Sequence, residues 1–459
     1  MEELREKLFG SSGVRGLVNV TLTPVLAAKI GLAIVTSARA ERIFVARDTR
    51  VSGSMLEDAL VSGLLSAGAE VNDLGVLPTP VLAYLTKELM ADAGVMITAS
   101  HNPPEYNGIK IFRNNSMAYD EESQDEIERL IANERFGFAD WRNVGKATFM
   151  DRSHLYCEMI RETVKLHKNW RVVVDPGCGA TYSLAPKILR DLGCKVTAVN
   201  AQPDGFFPAR SSEPTADSLK PLSRVVRELG ADAGVAYDGD GDRVAFIDEK
   251  GSFADFDRVL AAYAGHAVKK RAHGVAVTNV EASMCVEKMV EAQGGSVIRT
   301  KVGDIYVSEA VKKHKAVFGG EPCGAWVHPR IHYCPDGILS SVLLLKALEE
   351  EDEMRLSEFV LETPQYRTLR EGIACRNESK YEVVEKVGEN LKAVFPKHKE
   401  LSTVDGARLA LEKGWVLVRA SGTEPLIRIT VEGESSRTAK QIMEESTRLV
   451  ERLTKEKRK

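Results

Sequence analysis

The chain has no apolar run long enough to cross a membrane. Its longest, such as Leu339 to Leu348, fall far short of the ~20 residues a spanning helix needs. No basic leader followed by an apolar core opens it, so a chain without a signal peptide is expected. It also lacks an excess of one charge. Lys plus Arg number 62 and Asp plus Glu 66, for a net charge of −4 with both signs interspersed. That balance gives no case for binding nucleic acid or a membrane surface. The basic end, Lys455-Glu456-Lys457-Arg458-Lys459, reads as a solvated tail. Cysteine is sparse and unpatterned: seven residues, an odd number, with no Cys-x-x-Cys spacing. They read as reduced thiols in a cytoplasmic protein. What remains is the composition of a large soluble enzyme, whose 459 residues suit about three domains of ~150 each.

The most informative stretch is Met96-Ile97-Thr98-Ala99-Ser100-His101-Asn102-Pro103-Pro104-Glu105-Tyr106-Asn107-Gly108-Ile109-Lys110. An apolar strand runs into a small-polar turn holding Ser100 and His101, and two prolines then prevent a helix. A serine on a rigid turn beside a histidine suits covalent transfer. The plain alternative is a structural turn, since Ser, Asn, Pro and Gly dominate turns.

This stretch has an internal echo. Residues 88–95 read Glu-Leu-Met-Ala-Asp-Ala-Gly-Val and residues 228–235 read Glu-Leu-Gly-Ala-Asp-Ala-Gly-Val. After the first comes the Ser100 loop; after the second comes Tyr237-Asp238-Gly239-Asp240-Gly241-Asp242-Arg243. A fainter third copy, Lys315 to Phe318, leads into Gly319-Gly320-Glu321-Pro322-Cys323-Gly324. So long a period marks a duplicated domain. The upstream strands repeat too: Ile43 to Asp48, Val172 to Pro176 and Val275 to Thr278, each followed by a second strand at Ala69, Cys194 or Ser296. Helical patterns such as Leu56 to Ala67 and Ser183 to Leu192 lie between them. This predicts three similar α/β domains with mixed, largely parallel sheets, each offering one loop at a strand's carboxyl end to a central cleft.

A smaller α+β domain begins near Thr363, with strands at Arg370 to Cys375 and Gly414 to Arg419 and helices at Lys380 to Phe395 and Ser435 to Thr454. Between its strands sits Arg419-Ala420-Ser421-Gly422-Thr423-Glu424-Pro425. Two hydroxyls, a glycine turn and a guanidinium make an anion nest suited to phosphate; alone it could equally be a polar hairpin turn. Arg428 is a second cation or strand surface.

Asp238, Asp240 and Asp242 alternate with glycine, a hard-oxygen site for Mg²⁺ or Ca²⁺. An EF-hand needs Gly at the sixth loop position, where Arg243 stands, and Val244 to Ile247 reads as a strand rather than a helix. Mg²⁺ fits better, because it uses few carboxylates and completes its shell with phosphate and water. A hydroxyl nucleophile, Mg²⁺ and a remote phosphate site together point to phosphoryl transfer.

At these residues the chain resembles the α-D-phosphohexomutase family of phosphoglucomutases, phosphomannomutases and phosphoglucosamine mutases. The resemblance spans essentially the whole chain. It rests on Thr98-Ala99-Ser100-His101-Asn102-Pro103, Asp238 to Arg243, Gly320-Glu321-Pro322-Cys323-Gly324, Arg419-Ala420-Ser421-Gly422-Thr423 and Phe9-Gly10-Ser11-Ser12-Gly13-Val14-Arg15-Gly16. It implies a four-domain, heart-shaped fold: a phosphoserine domain at 1–150, a metal-binding domain at 151–252, a sugar-binding domain at 253–363 and a phosphate-binding domain at 364–459. It implies phosphorylated Ser100, with Ser100, Asp238, Asp240 and Asp242 holding one Mg²⁺. Arg15, Lys110 and Arg243 would surround the transferring phosphate and His101 the reacting hydroxyl. Gly320, Glu321 and Cys323 would face the sugar. Arg419, Ser421, Gly422 and Thr423 would hold the non-reacting phosphate, beside which Arg428, outside the matched motif, is the candidate second cation. The implied reaction interconverts hexose 6-phosphate and hexose 1-phosphate through a hexose 1,6-bisphosphate, with a closing fourth domain to exclude water. A homodimer stays open.

The sugar is the least determined point. The glucose/mannose pattern is Gly-Glu-x-Ser-Gly-His, whereas here Cys323 and Ala325 replace the serine and histidine. The run Arg299-Thr300-Lys301-Val302-Gly303-Asp304 looks like the phosphoglucosamine mutase version of its loop. Glucosamine phosphate is therefore the expected substrate. The alternatives are an archaeal-type mutase of mixed specificity, a phosphatase or kinase using the same parts, and a silent sugar-phosphate binder. Intact Ser100 and the intact Asp trio argue against the last.

Overall fold

The computed structural model describes residues 7–456 except Ser11, Ala272 and Thr423. Its chain divides into two compact units. One holds the residues up to Phe256 together with Gly303–Leu361; the other holds Asp257–Val302 and the residues from Glu362 onward.

In the first unit, the β-branched and apolar strands Arg42–Arg47 and Ala93–Ile97 pair in parallel at the middle of a seven-stranded sheet. Glu70–Val76 extends it in parallel on one side. On the other side Tyr106–Arg113 joins antiparallel, followed by Gly13–Leu17. All five residues of Ala93–Ile97 are buried, as expected for a strand covered on both faces. The helix Pro24–Ala38 starts where Thr23 accepts a hydrogen bond from the Leu26 N–H and proline takes the first helical turn. With Gly53–Ser66 it covers the core built on Ile30, Ile34, Val45, Leu56, Leu60 and Val95. The second sheet repeats the plan with four strands ordered Val244–Ile247, Ala233–Tyr237, Arg171–Asp175, Lys195–Ala198, the first antiparallel to its neighbour and the rest parallel. Both echoed segments thus end at equivalent places: Ala93–Ile97 feeds the Ser100 loop and Ala233–Tyr237 feeds the aspartate loop. The strand at Val244–Ile247 removes the EF-hand, which would need a helix there.

The third set of α/β elements is shared between the units. The helix Asp304–Lys313, the hairpin of Phe318–Gly320 with Trp326–Val327, and the helix Gly337–Glu350 belong to the first. The parallel strands Val275–Asn279 and Ser296–Thr300 belong to the second.

The rest of the second unit is a five-stranded antiparallel sheet in the order Arg367–Ala374, Leu426–Gly433, Gly414–Ala420, Ala407–Leu411, His398–Ser402. Helices Asn377–Val394 and Ser436–Glu456 bury Val383, Val387, Leu391, Leu449 and Val450 against Val416, Val418, Ile429 and Val431. Two of these strands, His398–Ser402 and Ala407–Leu411, were not expected. The edge strand His398–Ser402 carries charge and a bulge, so its alternation is weak. Among the described residues, no helix is long and apolar enough to cross a membrane.

Candidate active site

The Ser100 loop is held from below by a buried ion pair. Asp48, at the end of Arg42–Arg47, accepts from Arg50 Nε at 3.0 Å and from Thr98 Oγ1 at 2.7 Å. The Arg50 guanidinium also donates to the carbonyls of Ser100, Asn102, Pro103 and Tyr106 at 2.6–2.9 Å. One fully buried cation thereby satisfies four carbonyls of a loop that has no ladder of its own. Ser100 itself is buried and adopts φ 51°, the left-handed region costly for a residue with a side chain. Its amide bonds to Thr98 Oγ1 at 2.8 Å.

The aspartate loop has a matching brace. Asp175, ending the equivalent strand, pairs with Arg210 at 3.1 Å, and Arg210 donates to the Tyr237 carbonyl at 2.6 Å. Neither Arg50 nor Arg210 was singled out in the sequence. The signal lay in the echo itself, since both strands end in Asp, at Asp48 and Asp175.

The two loops meet face to face. A Cβ on Gly239 would lie 2.5 Å from the Ser100 carbonyl, so only glycine lets the backbones come this close, and Gly241 takes φ +76° to turn the loop. Ser100 Oγ donates to Asp238 Oδ2 at 2.6 Å and lies 3.2 Å from His101 Nδ1. Lys110 reaches in from Tyr106–Arg113 and donates to Asp240 at 2.8 Å and Asp242 at 2.6 Å. Thr79 Oγ1 donates to Asp240 at 2.5 Å.

All three aspartates are buried, with ligand atoms within 4.8 Å of one another. Asp240 Oδ1 and Asp242 Oδ1 are buried without any hydrogen-bond partner. An unsatisfied buried carboxylate oxygen is costly. Two of them facing one spot fit a hard divalent cation with oxygen ligands.

Charge in this centre is crowded on both sides. Burial raises Asp238 well above the usual carboxylate range, and Asp242 and Asp240 add to the effect. Burial likewise works against ionised Asp240, but Lys110 and the Thr79 hydrogen bond outweigh it and hold it low. Burial opposes the charge on Lys110, yet Asp240 and Asp242 keep it well above its ordinary value. Arg15, whose Nη1 donates to Asn102 Oδ1 at 2.8 Å, is pushed down by burial and by neighbouring Arg243. His101 is pushed down to about 2 by burial, then by Arg243 and Arg15, so its ring is neutral. Three cations this close suit a polyanionic phosphoryl group.

The third loop joins the same unit. Arg243 bridges Ala325, and the Val244 N–H donates to the Gly324 carbonyl at 3.1 Å. Glu321 is buried and accepts from the Gly303 N–H at 2.9 Å, while Ser12 donates to Asp304 at 2.7 Å. Gly320 ends the strand Phe318–Gly320. Burial pushes the Cys323 thiol up to about 12, so it stays a weak donor.

In the second unit, Arg419 and Arg428 stand directly opposite one another on paired strands. Arg419 is paired with Glu281 and, at 3.0 Å, with Asp405. Arg428 pairs with Glu424 at 2.8 Å in an exposed bridge. Buried Ser421 accepts from the Glu424 N–H at 3.2 Å, and its carbonyl accepts from buried Lys380 at 2.5 Å. Lys380 was missed because it reads as one more helix-surface lysine. A side chain on Gly422 would meet nothing within 4 Å. Thr423, like Ser11, lies outside the described residues.

Models of the Phosphoglucomutase/phosphomannomutase family match this chain in order: alpha/beta/alpha domain I at 6–138, domain II at 154–251, domain III at 255–366 and the C-terminal domain at 373–449. A Pyrococcus furiosus protein described as "Probable phosphoglucosamine mutase" is 44% identical over 97% of each chain. A Methanococcoides burtonii protein with the same description is 46% identical, over 93% of this chain and 95% of its own. Among solved structures, a phosphoglucomutase/phosphomannomutase family protein from Burkholderia thailandensis is 25% identical with a TM-score of 0.86, covering 98% of each chain.

Proposed function

The chain belongs to the phosphoglucomutase/phosphomannomutase family, and we propose that it interconverts glucosamine 6-phosphate and glucosamine 1-phosphate in the cytoplasm. It is a phosphomutase, an isomerase acting on a hexose phosphate. The observation that carries the reading is Ser100 Oγ, buried on a braced and strained turn, 2.6 Å from the first of three clustered aspartates.

In this reading phosphorylated Ser100 gives its phosphoryl group to the free hydroxyl of the sugar. The phosphorus–Oγ bond breaks as the bond to the sugar oxygen forms, the sugar hydroxyl's proton ends on the Ser100 oxygen, and the product is the hexose 1,6-bisphosphate. The bisphosphate reverses, and Ser100 takes the other phosphate back. Asp238, Asp240 and Asp242, with the Ser100 phosphate, are the residues that would hold Mg²⁺. When bound there, Mg²⁺ offsets the repulsion between carboxylates and phosphate and polarises the group in transfer. Lys110, Arg15 and Arg243 stabilise charge spread over the phosphoryl oxygens. Neutral His101 orients the serine oxygen without adding a fourth cation. Glu321 takes the sugar hydroxyls. Arg419, Ser421, Gly422 and Thr423, with Arg428, hold the non-reacting phosphate.

Glucosamine is favoured because both archaeal relatives of high identity carry that description. In addition, Cys323 and Ala325 depart from the glucose/mannose loop. Seven free cysteines support a reducing compartment, and the balanced surface charge gives nucleic acid no handle. The test is the ratio of kcat/KM for glucosamine-, glucose- and mannose-1-phosphate on one preparation. Glucosamine phosphate should win; a tenfold advantage for either rival, equivalent to ~1.4 kcal/mol of transition-state preference, would refute the sugar assignment.

A further inference from the structure

Both terminal nitrogens of Arg419 are already engaged. One terminal nitrogen is paired with Glu281 and the other, at 3.0 Å, with Asp405. Asp405 also accepts from the Val302 N–H at 3.1 Å, and Glu281 sits on a turn where its own N–H donates to Asn279 Oδ1 at 2.9 Å. The Asp405 carboxylate is thus itself held by a backbone N–H, and Glu281 is carried on an anchored turn. The Arg419 Nε is buried without a hydrogen-bond partner. A guanidinium presents its N–H groups to any planar or tetrahedral oxyanion in the same forked way, so a carboxylate and a phosphate compete for one set of donors. Arg428 lies opposite, paired with Glu424. Like charges directly opposite on paired strands repel, and here each is offset by a carboxylate.

We propose that Glu281 and Asp405 are specificity-determining residues that act as built-in competitors for Arg419, reserving it for a phosphate dianion. A weak monoanion such as chloride offers one acceptor of low charge and cannot replace two carboxylates. A phosphate dianion offers three oxygens and can. The pairs are partly exposed, which makes them cheap to break: an ion pair of this kind shifts affinity by roughly two- to fivefold. The proposal rests on the reading that this loop holds the substrate's non-reacting phosphate.

The test uses the full-length enzyme and five proteins: wild type, Glu281→Gln, Asp405→Asn, Arg419→Ala and the Glu281→Gln/Arg419→Ala double variant. In Glu281→Gln, KM for hexose phosphate should fall roughly two- to fivefold without a rise in kcat, and inhibition by added chloride should strengthen by a similar factor. Asp405→Asn should move both in the same direction. Adding Arg419→Ala to Glu281→Gln should abolish the effect. A KM that stays the same or rises in both carboxylate variants, with chloride inhibition unchanged, would overturn the proposal while leaving the phosphate-loop reading intact. If Arg419→Ala alone leaves KM unchanged, the phosphate-loop reading fails first. Thermal unfolding of each variant identifies any loss due to folding, and the chloride response does not depend on it.

Discussion

In the serine–aspartate centre the charged side chains are buried, and backbone is brought up against them. Asp48 with Arg50 and Asp175 with Arg210 brace two loops from beneath, and Lys110 links two of the three aspartates. Two carboxylate oxygens are left without partners. In the arginine loop the pattern is reversed. Its two arginines are partly exposed and each is already paired with an acid. The first region is a fixed set of buried charges whose clustered carboxylates fit a hard divalent cation. The second already has its arginines paired with carboxylates and has to exchange partners to bind. The contrast fits their proposed tasks, since a transfer centre gains from preorganisation, whereas a phosphate holder must release each turn of a reversing intermediate.

If this contrast is right, removing charge from the first region should be far more damaging than from the second. The largest effect should come from the metal site. Exhaustive chelation, or Asp240→Asn, should lower kcat by at least ~10³-fold, as expected for a group acting at the transferring phosphoryl. Calcium should occupy the site and support little turnover, being larger and looser in its geometry. Undiminished activity after chelation would reject the assignment.

Next is the brace. Arg50→Leu leaves Asp48 buried and unpaired and four carbonyls without their donor, a change of about 3–5 kcal/mol. Chemical denaturation should show that loss in the first unit. A variant within 1 kcal/mol of wild type would mean that water replaces the guanidinium. Arg419→Ala should be milder, raising KM for the hexose phosphate by roughly tenfold or more with a smaller fall in kcat, because remote phosphate binding contributes to both. Unchanged kinetics would show that the phosphate is held elsewhere.

The smallest effect concerns pH and stability. Burial pushes His328 down to about 3, the largest cause, and its Nε2 lies 2.9 Å from Ser340 Oγ. Its folded value lies below the unfolded ~6.5, so the unfolded chain binds the extra proton first. The stability that His328 contributes is therefore fully present above about pH 6.5 and is lost as pH falls toward 3. His328→Gln should lose less stability than wild type between pH 7 and pH 5. Equal slopes for the two proteins would remove His328 as a cause.

Much of this could be read from the chain because function lies in loops that follow apolar strands. The echo of residues 88–95 at 228–235 located two strands that end at equivalent places, and the loops after them hold Ser100 and the aspartates. The alternation of Asp and Gly marked a metal site, and the close approach at Gly239 shows why glycine is needed there. What escaped were groups whose role comes from tertiary contact. Arg50 and Arg210 are ordinary surface residues by type and become buried braces only through partners on other segments. Lys380 and Glu281 lie on a helix and a turn, and both touch the arginine loop from about forty and 138 residues away. Two strands of the last sheet were missed because their charged, bulged edge hides the alternation.

The account turns on Ser100 as the carrier of the phosphoryl group. The most direct measurement is intact mass of the enzyme before and after one equivalent of glucosamine 6-phosphate, with inorganic phosphate assayed alongside. Active enzyme should carry one phosphate on Ser100, pass it to the sugar and regain the other, so that any unphosphorylated enzyme is matched by bisphosphate and no phosphate is released to water. Ser100→Ala should carry none and be inactive. Full turnover by Ser100→Ala, or release of the phosphate to water in place of transfer, would contradict the account.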